Sequence, residues 1–270
     1  MTDLANGRRV SEELIRMAGV TYGFPEGPQV FSDYDWVVDR GETWAVLGPS
    51  GCGKTTLLYL LAGLVRPDRG MVAVGGKEIL RPRPRTGLII QEYGLLPWAT
   101  VRENARLGLR IRSFYGPDGT HAPREQVSDL EVDPWLERLD LAAQAEKYPG
   151  QLSGGQRQRT AIARTLVLAP DILLMDEPFS SLDAPTRAGL QDLTLELQEE
   201  GGLTLVLVTH SIEEAAYLGK NILLLGHPPN REPEIISNPG ASRPGFRGST
   251  DFQAVCTQLR QRMEGEVVGG

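Results

Sequence analysis

The sequence predicts an α/β fold built around a mainly parallel sheet. Three observations carry this expectation. Continuous aliphatic runs at Thr43–Leu47, 87–90, 172–175, 203–208 and 222–225 read as strands buried on both faces. Helical stretches alternate with the later runs, as they do in layered α/β cores. The octapeptide Gly48-Pro49-Ser50-Gly51-Cys52-Gly53-Lys54-Thr55 follows the first run directly and opens an apolar stretch that reads as a helix ending near Gly63 and Pro67.

That octapeptide has the pattern G-x-x-x-x-G-K-[ST], and its residue types suit a phosphate cradle. Glycines let the backbone turn tightly and aim its N–H groups inward, and a helix start adds unpaired N–H groups and the positive end of its dipole. Lys54 can reach the β- and γ-phosphates, the Thr55 hydroxyl can ligate Mg2+, and Thr56 follows inside the helix. The alternative is a chance glycine turn. With only four lysines in 270 residues, such a match is rare.

Further along, residues 71–74 follow one glycine turn and precede Gly75-Gly76, which predicts an antiparallel portion near the N-terminus. The run at 87–90 ends at Gln91. From there to about residue 170 no strand pattern recurs, and 101–111, 133–141 and 156–168 read as helices. This predicts a helical subdomain inserted into the sheet, with a Gly/Pro-containing loop at 113–123. The run at 172–175 closes on Asp176 and Glu177, at the carboxyl end of a strand where open α/β sheets bind ligands. There Asp176 suits holding Mg2+ and Glu177 suits polarising a water, though an acidic turn before Pro178 looks the same in isolation. The run at 203–208 leads to Thr209 and His210. The expected division is a nucleotide-binding core at 1–91 and 165–226, a helical subdomain at 92–164, and a tail at 227–270 with a short helix at 252–263.

Composition narrows the function. A net charge of −7 with dispersed basic residues argues against a broad nucleic-acid surface. Arg81-Pro82-Arg83-Pro84-Arg85 is the one basic cluster and reads as a solvated loop. Two distant cysteines give neither a disulfide framework nor a zinc site. No apolar run spans a bilayer, and the first residues lack the apolar core of a secretion signal. The expectation is a chain on the cytoplasmic side that reaches a membrane only through a protein partner.

Leu152-Ser153-Gly154-Gly155-Gln156 precedes a helical stretch and makes a second anion site from a hydroxyl and free N–H groups; a plain helix cap is the alternative. Between a phosphate loop and an acidic strand end, this pentapeptide resembles the signature of the ATP-binding cassette (ABC) ATPases. The resemblance runs from about residue 20 to residue 225. It implies an aromatic at Tyr22 stacked on adenine, with Phe24 two residues on. It also implies Gln91 linking Mg2+ and water to a transmembrane partner, a cross-subunit loop at Ser180-Ser181-Leu182-Asp183, and a γ-phosphate contact from His210. In isolation His210 would read as a structural histidine and Tyr22 as a core aromatic.

The same resemblance implies ATP and Mg2+ as cofactors. It implies head-to-tail pairing with a second ATPase subunit, identical or paralogous, so that each ATP lies between one chain's phosphate loop and residues 153–156 of the other. It further implies transmembrane permease subunits, an indirect extracytoplasmic solute-binding protein, and a peripheral position on the cytoplasmic face of the inner membrane. Leu95-Leu96-Pro97-Trp98, followed by Thr100-Val101-Arg102, resembles the ATPases of nitrate, sulfonate, taurine and bicarbonate importers. Leu95, Leu96 and Trp98 are candidates to line a groove for the permease, or else ordinary core residues. Lipid or metal-chelate transport and a soluble non-transport ATPase are the alternatives. The substrate itself is not encoded in a chain that never touches it.

Overall fold

The computed structural model describes residues 12–115, 131–243 and 245–267. Its centre is a six-stranded sheet in the order β10-β9-β3-β8-β7-β6, formed by β3 (Thr43–Leu47), β6 (Thr86–Ile89), β7 (Ile172–Asp176), β8 (Thr204–Thr209), β9 (Asn221–Leu224) and β10 (Glu234–Ser237). Neighbours from β9 to β6 pair in parallel, and β10 adds antiparallel to β9. A second, antiparallel sheet has the order β2-β1-β4-β5, from β1 (Glu13–Gly23), β2 (Gln29–Asp39), β4 (Arg69–Val74) and β5 (Lys77–Glu78).

The aliphatic runs are explained by two cores, one on each face of the central sheet. Trp44 and Val46 of β3, Leu174 of β7 and Val206 and Val208 of β8 pack with helix α1 (Lys54–Ala62) and the antiparallel sheet. Their neighbours Ala45, Leu47, Leu173, Met175, Leu205 and Leu207 pack on the other face against the helices. A strand covered on both faces has no polar position to spare.

The helical layer comprises α2 (Val101–Tyr115), α3 (Asp133–Arg138), α4 (Gly154–Leu166), α5 (Ala184–Gly201), α6 (Ile212–Leu218) and α7 (Thr250–Val267). The first three supply the helices expected between Gln91 and the acidic strand. Helix α3 stops earlier than residue 141, because Asp140 turns into a left-handed conformation at φ 55°. Most of the loop expected at 113–123 lies outside the described residues, and α2 continues through Tyr115.

Two regions depart from expectation. The first two strands escape the search for aliphatic runs because their apolar residues alternate with Arg16, Asp33 and Asp35, and register shifts interrupt their pairing. The region after residue 226, expected as a tail with a short helix, also carries a strand and a longer helix. Strand β10 extends the sheet, and Ile236, Phe246, Cys256 and Leu259 are buried. Asn230 lies beside β2 and donates its amide to the carbonyls of Val30 and Cys52, at 3.2 and 2.9 Å, so this segment buttresses the phosphate loop.

Candidate functional site

The phosphate loop turns from β3 into α1, and two glycines are required by the packing. Gly53 caps α1 at φ 107°, and a Cβ there would meet Val30 Cγ1 at 2.4 Å. At Gly48 a Cβ would come within 2.4 Å of the Leu225 carbonyl oxygen. The buried Lys54 ammonium donates to the carbonyls of Gly48 and Pro49, both at 2.8 Å. Cys52 is buried in the core cluster, with its Sγ 4.0 Å from the Lys54 ammonium.

A cavity of about 470 Å3 opens beside this loop. Its walls bring together Ser50, Gly51, Gly53, Lys54, Thr55, Thr56, Gln91, Glu177 and His210, with Phe24 and Val30 at one end. Four elements converge here: the start of α1, the turn after β6, the end of β7 and the end of β8. Because parallel strands all point their carboxyl ends the same way, residues distant in sequence meet at one rim.

Asp176 ends β7 and accepts the Thr55 hydroxyl at 2.9 Å. Burial pushes its carboxyl above the usual range, while the Thr55 hydrogen bond pulls it down. Asp176 does not itself line the cavity, but through Thr55 it adjoins it, and with Gln91 among the lining residues the three supply hard oxygen donors, which is the chemistry Mg2+ selects. Glu177 sits in a left-handed conformation at φ 45°, held by its N–H bond to the Val208 carbonyl at 2.9 Å. Such a conformation costs a side-chain-bearing residue about 1–2 kcal/mol, and it aims the carboxylate out of the strand. Its Oε2 lies 3.0 Å from His210 Nδ1.

The structure differs from expectation at the aromatic. Tyr22 is not on the cavity wall; its ring is buried, with a centroid 5.5 Å from that of Phe24 in an edge-to-face arrangement. Phe24, 52% exposed, is the ring that faces the cavity. The chain leaves β1 at Gly23, so Phe24 is free to lean over the phosphate loop while Tyr22 stays in the strand.

Ser153, Gly154, Gly155, Gln156 and Asp183 are not among the residues lining this cavity. Ser153 caps α4 in a reciprocal box: its hydroxyl accepts the Gln156 N–H at 3.2 Å, and Gln156 Oε1 accepts the Ser153 N–H at 3.0 Å. A Cβ on Gly155 would meet Thr186 Cγ2 at 2.6 Å, so this turn must pack tightly on α5. Asp183 caps α5 by accepting the Thr186 N–H at 3.2 Å, and hydrogen bonds from Thr186 hold its carboxyl below the usual range.

Two residues without any sequence signature organise the segment after Gln91. Asn104, fully buried on α2, accepts the Leu96 N–H at 2.8 Å and donates to the carbonyls of Leu96, Ala99 and Thr100. Arg164, in the last turn of α4, donates to the carbonyls of Tyr93 and Gly94 at 2.8 and 2.5 Å. Both of those residues are left-handed, at φ 63° and 60°, and the guanidinium pins the tight turn they make. The Tyr93 and Ser181 hydroxyls meet at 2.6 Å. The turn leaves Trp98 74% exposed, with Leu95 and Leu96 half-buried.

A family profile described as ABC transporter matches residues 31–180. The aliphatic sulfonates import ATP-binding protein SsuB of Bacillus anthracis is 37% identical over 236 residues, covering 87% of this chain and 89% of the relative. The taurine import ATP-binding protein TauB of Escherichia coli K12 is 41% identical over 206 residues, covering 76% of this chain and 77% of the relative. Among solved structures, a dimeric post-hydrolysis state of the ATP-binding cassette MJ0796 bound to ADP and Pi superposes with a TM-score of 0.70 at 29% identity, over 83% of this chain and 98% of that one.

Proposed function

This chain belongs to the ABC transporter family of ATP-binding proteins, and on that premise we propose that its ATPase activity drives import of sulfonate-type oxyanions through a separate permease. The observation that carries this reading is the convergence of Lys54, Thr55, Gln91, Glu177 and His210 on one cavity beside the phosphate loop. The import direction and the substrate class come from the likeness to the SsuB and TauB proteins.

In this reading the loop N–H groups and Lys54 hold the β- and γ-phosphates of ATP. Thr55, Asp176 and Gln91 would hold Mg2+, which supplies positive charge to the phosphate oxygens. Glu177 accepts a proton from the water that attacks the γ-phosphorus, and the β–γ bridging oxygen leaves with ADP. His210 holds Glu177 and faces the γ-phosphate. Residues 153–156 and Asp183 lie away from the cavity in their own chain, so they act on the ATP of a second copy. Nucleotide then closes the pair and hydrolysis releases it.

Phe24 in this reading takes the adenine. Phe24→Ala is expected to weaken ATP binding by about 1–3 kcal/mol, the usual worth of base–aromatic stacking. Tyr22→Leu, which removes that buried ring and keeps an apolar side chain, should leave it unchanged. Titration calorimetry with ATP checks both, and equal losses from the two changes would return the role to Tyr22.

No helix among the described residues is long and apolar enough to cross a membrane. From the likeness to the SsuB and TauB import proteins we assign the chain a peripheral position on the cytoplasmic face of the membrane, docked on the permease through Trp98, Leu95 and Leu96. A large exposed aromatic on a clamped turn is the kind of anchor that carries most of an interface's energy. Deleting the gene should abolish growth on alkanesulfonates or taurine as sole sulfur source, and wild-type chain should restore it. Trp98→Ala should fail to restore it and should lose the permease in affinity capture. Normal growth on those sulfur sources after deletion would redirect the search to other oxyanions.

A further inference from the structure

His210 has little support of its own. Its side chain is 64% exposed, and the bond to Glu177 holds only one edge of the ring. The backbone beneath it is fixed from elsewhere. Thr209, 1% exposed, donates its hydroxyl to Glu214 Oε2 at 2.7 Å and accepts the Ser211 N–H at 3.0 Å. Ser211 in turn caps α6. Burial pushes the Glu214 carboxyl up, and the Thr209 bond and the nearby Arg187 pull it back. The other oxygen, Oε1, lies 3.7 Å from Arg187 Nε.

Arg187 reaches in two directions. From the first turns of α5 it donates to the carbonyls of Leu182 and Phe179, at 2.7 and 3.3 Å. Those two carbonyls bracket Ser180 and Ser181, the start of the loop that ends at Asp183. One guanidinium thus grips both ends of this turn and faces the buried carboxylate that clamps the residue before His210. Separating the guanidinium from this buried carboxylate leaves its charge largely uncompensated, since His210 pulls on it more weakly, so displacement of one partner is felt by the other.

We propose that Arg187 and Glu214 are positioning residues that tie His210 to the 180–183 loop. The posture of His210 over the cavity is then set by whatever touches that loop. The occupant we assign to it is a second copy of this chain, so the proposal rests on the paired reading above. Closure of the pair shifts the loop, the Arg187–Glu214 bridge carries the shift to Thr209, and His210 comes to bear on Glu177. An unpaired chain then lacks both the partner's residues 153–156 over its nucleotide and a firmly held histidine.

The test is a set of steady-state ATPase measurements on the full chain. Glu214→Gln keeps the acceptor for Thr209 and removes the charge that faces Arg187; Arg187→Lys keeps the charge and loses the fork. Each is expected to lower kcat about 10-fold with KM within twofold, since small misplacements of catalytic groups have effects of this size and larger. In a His210→Ala background neither should cost anything further, because both act through the histidine. A salt bridge that only stabilises the fold would lower activity by the same factor in both backgrounds, and that result overturns the proposal. Turnover within twofold of wild type in both single variants also overturns it. If His210→Ala itself retains wild-type turnover, the role given to His210 falls, and this inference falls with it. Loss of folding in one variant leaves the other to decide.

Discussion

Lys54→Ala is expected to lower ATP turnover by about 10²–10³-fold, the usual loss when one preorganised electrostatic contact is removed from a transferring group. In this fold the ammonium is buried and satisfied by two carbonyls of its own loop, Gly48 and Pro49. It therefore sits within the cradle before any phosphate arrives, with little side-chain entropy left to lose on binding. Alanine removes the charge and leaves those two carbonyls to find water. The loss should appear in affinity for ATP as well as in kcat. Phosphate release and calorimetry on the same protein would measure it. Unchanged binding and turnover would remove the phosphate-loop assignment.

Glu177→Gln should separate binding from chemistry. The amide keeps the shape of the carboxylate and can still meet His210, but it cannot accept a proton. Turnover should fall by about 10²–10⁴-fold, the range of a positioned general base. ATP affinity should hold within a few-fold, since Lys54 and the loop N–H groups are untouched. A chain that binds ATP without cleaving it should accumulate as the closed pair, visible as an ATP-dependent doubling of mass in size-exclusion chromatography with light scattering. Wild-type turnover in this variant would sink the role given to Glu177.

Much of this site is legible in the sequence because parallel strands end at one rim. β3, β7 and β8 are covered on both faces, so hydrophobicity alone marks them, and the polar residues that close them mark the rim. Of the antiparallel strands, β4 is marked by its glycine turns but β1 and β2 are not, since β2 alternates buried and exposed residues and bulges break its register with β1. The choice between Tyr22 and Phe24 depends on where β1 stops against the phosphate loop, which no local pattern encodes. Asn104, Arg164, Arg187 and Asn230 have in common that they bond backbone carbonyls. Any side chain with an N–H or O–H to donate can do this, and the partners are known only once the chain has folded.

Helix α4 has 13 residues and so spans about 20 Å. Ser153 caps one end, and Arg164 near the other holds the turn between Gln91 and Trp98. One helix thus joins the turn that carries Trp98 to the end that carries Ser153. On the docked and paired reading proposed above, displacement of Trp98 by a membrane partner is then expected to shift Ser153 against a neighbouring chain's nucleotide, without either touching the phosphate loop of this chain.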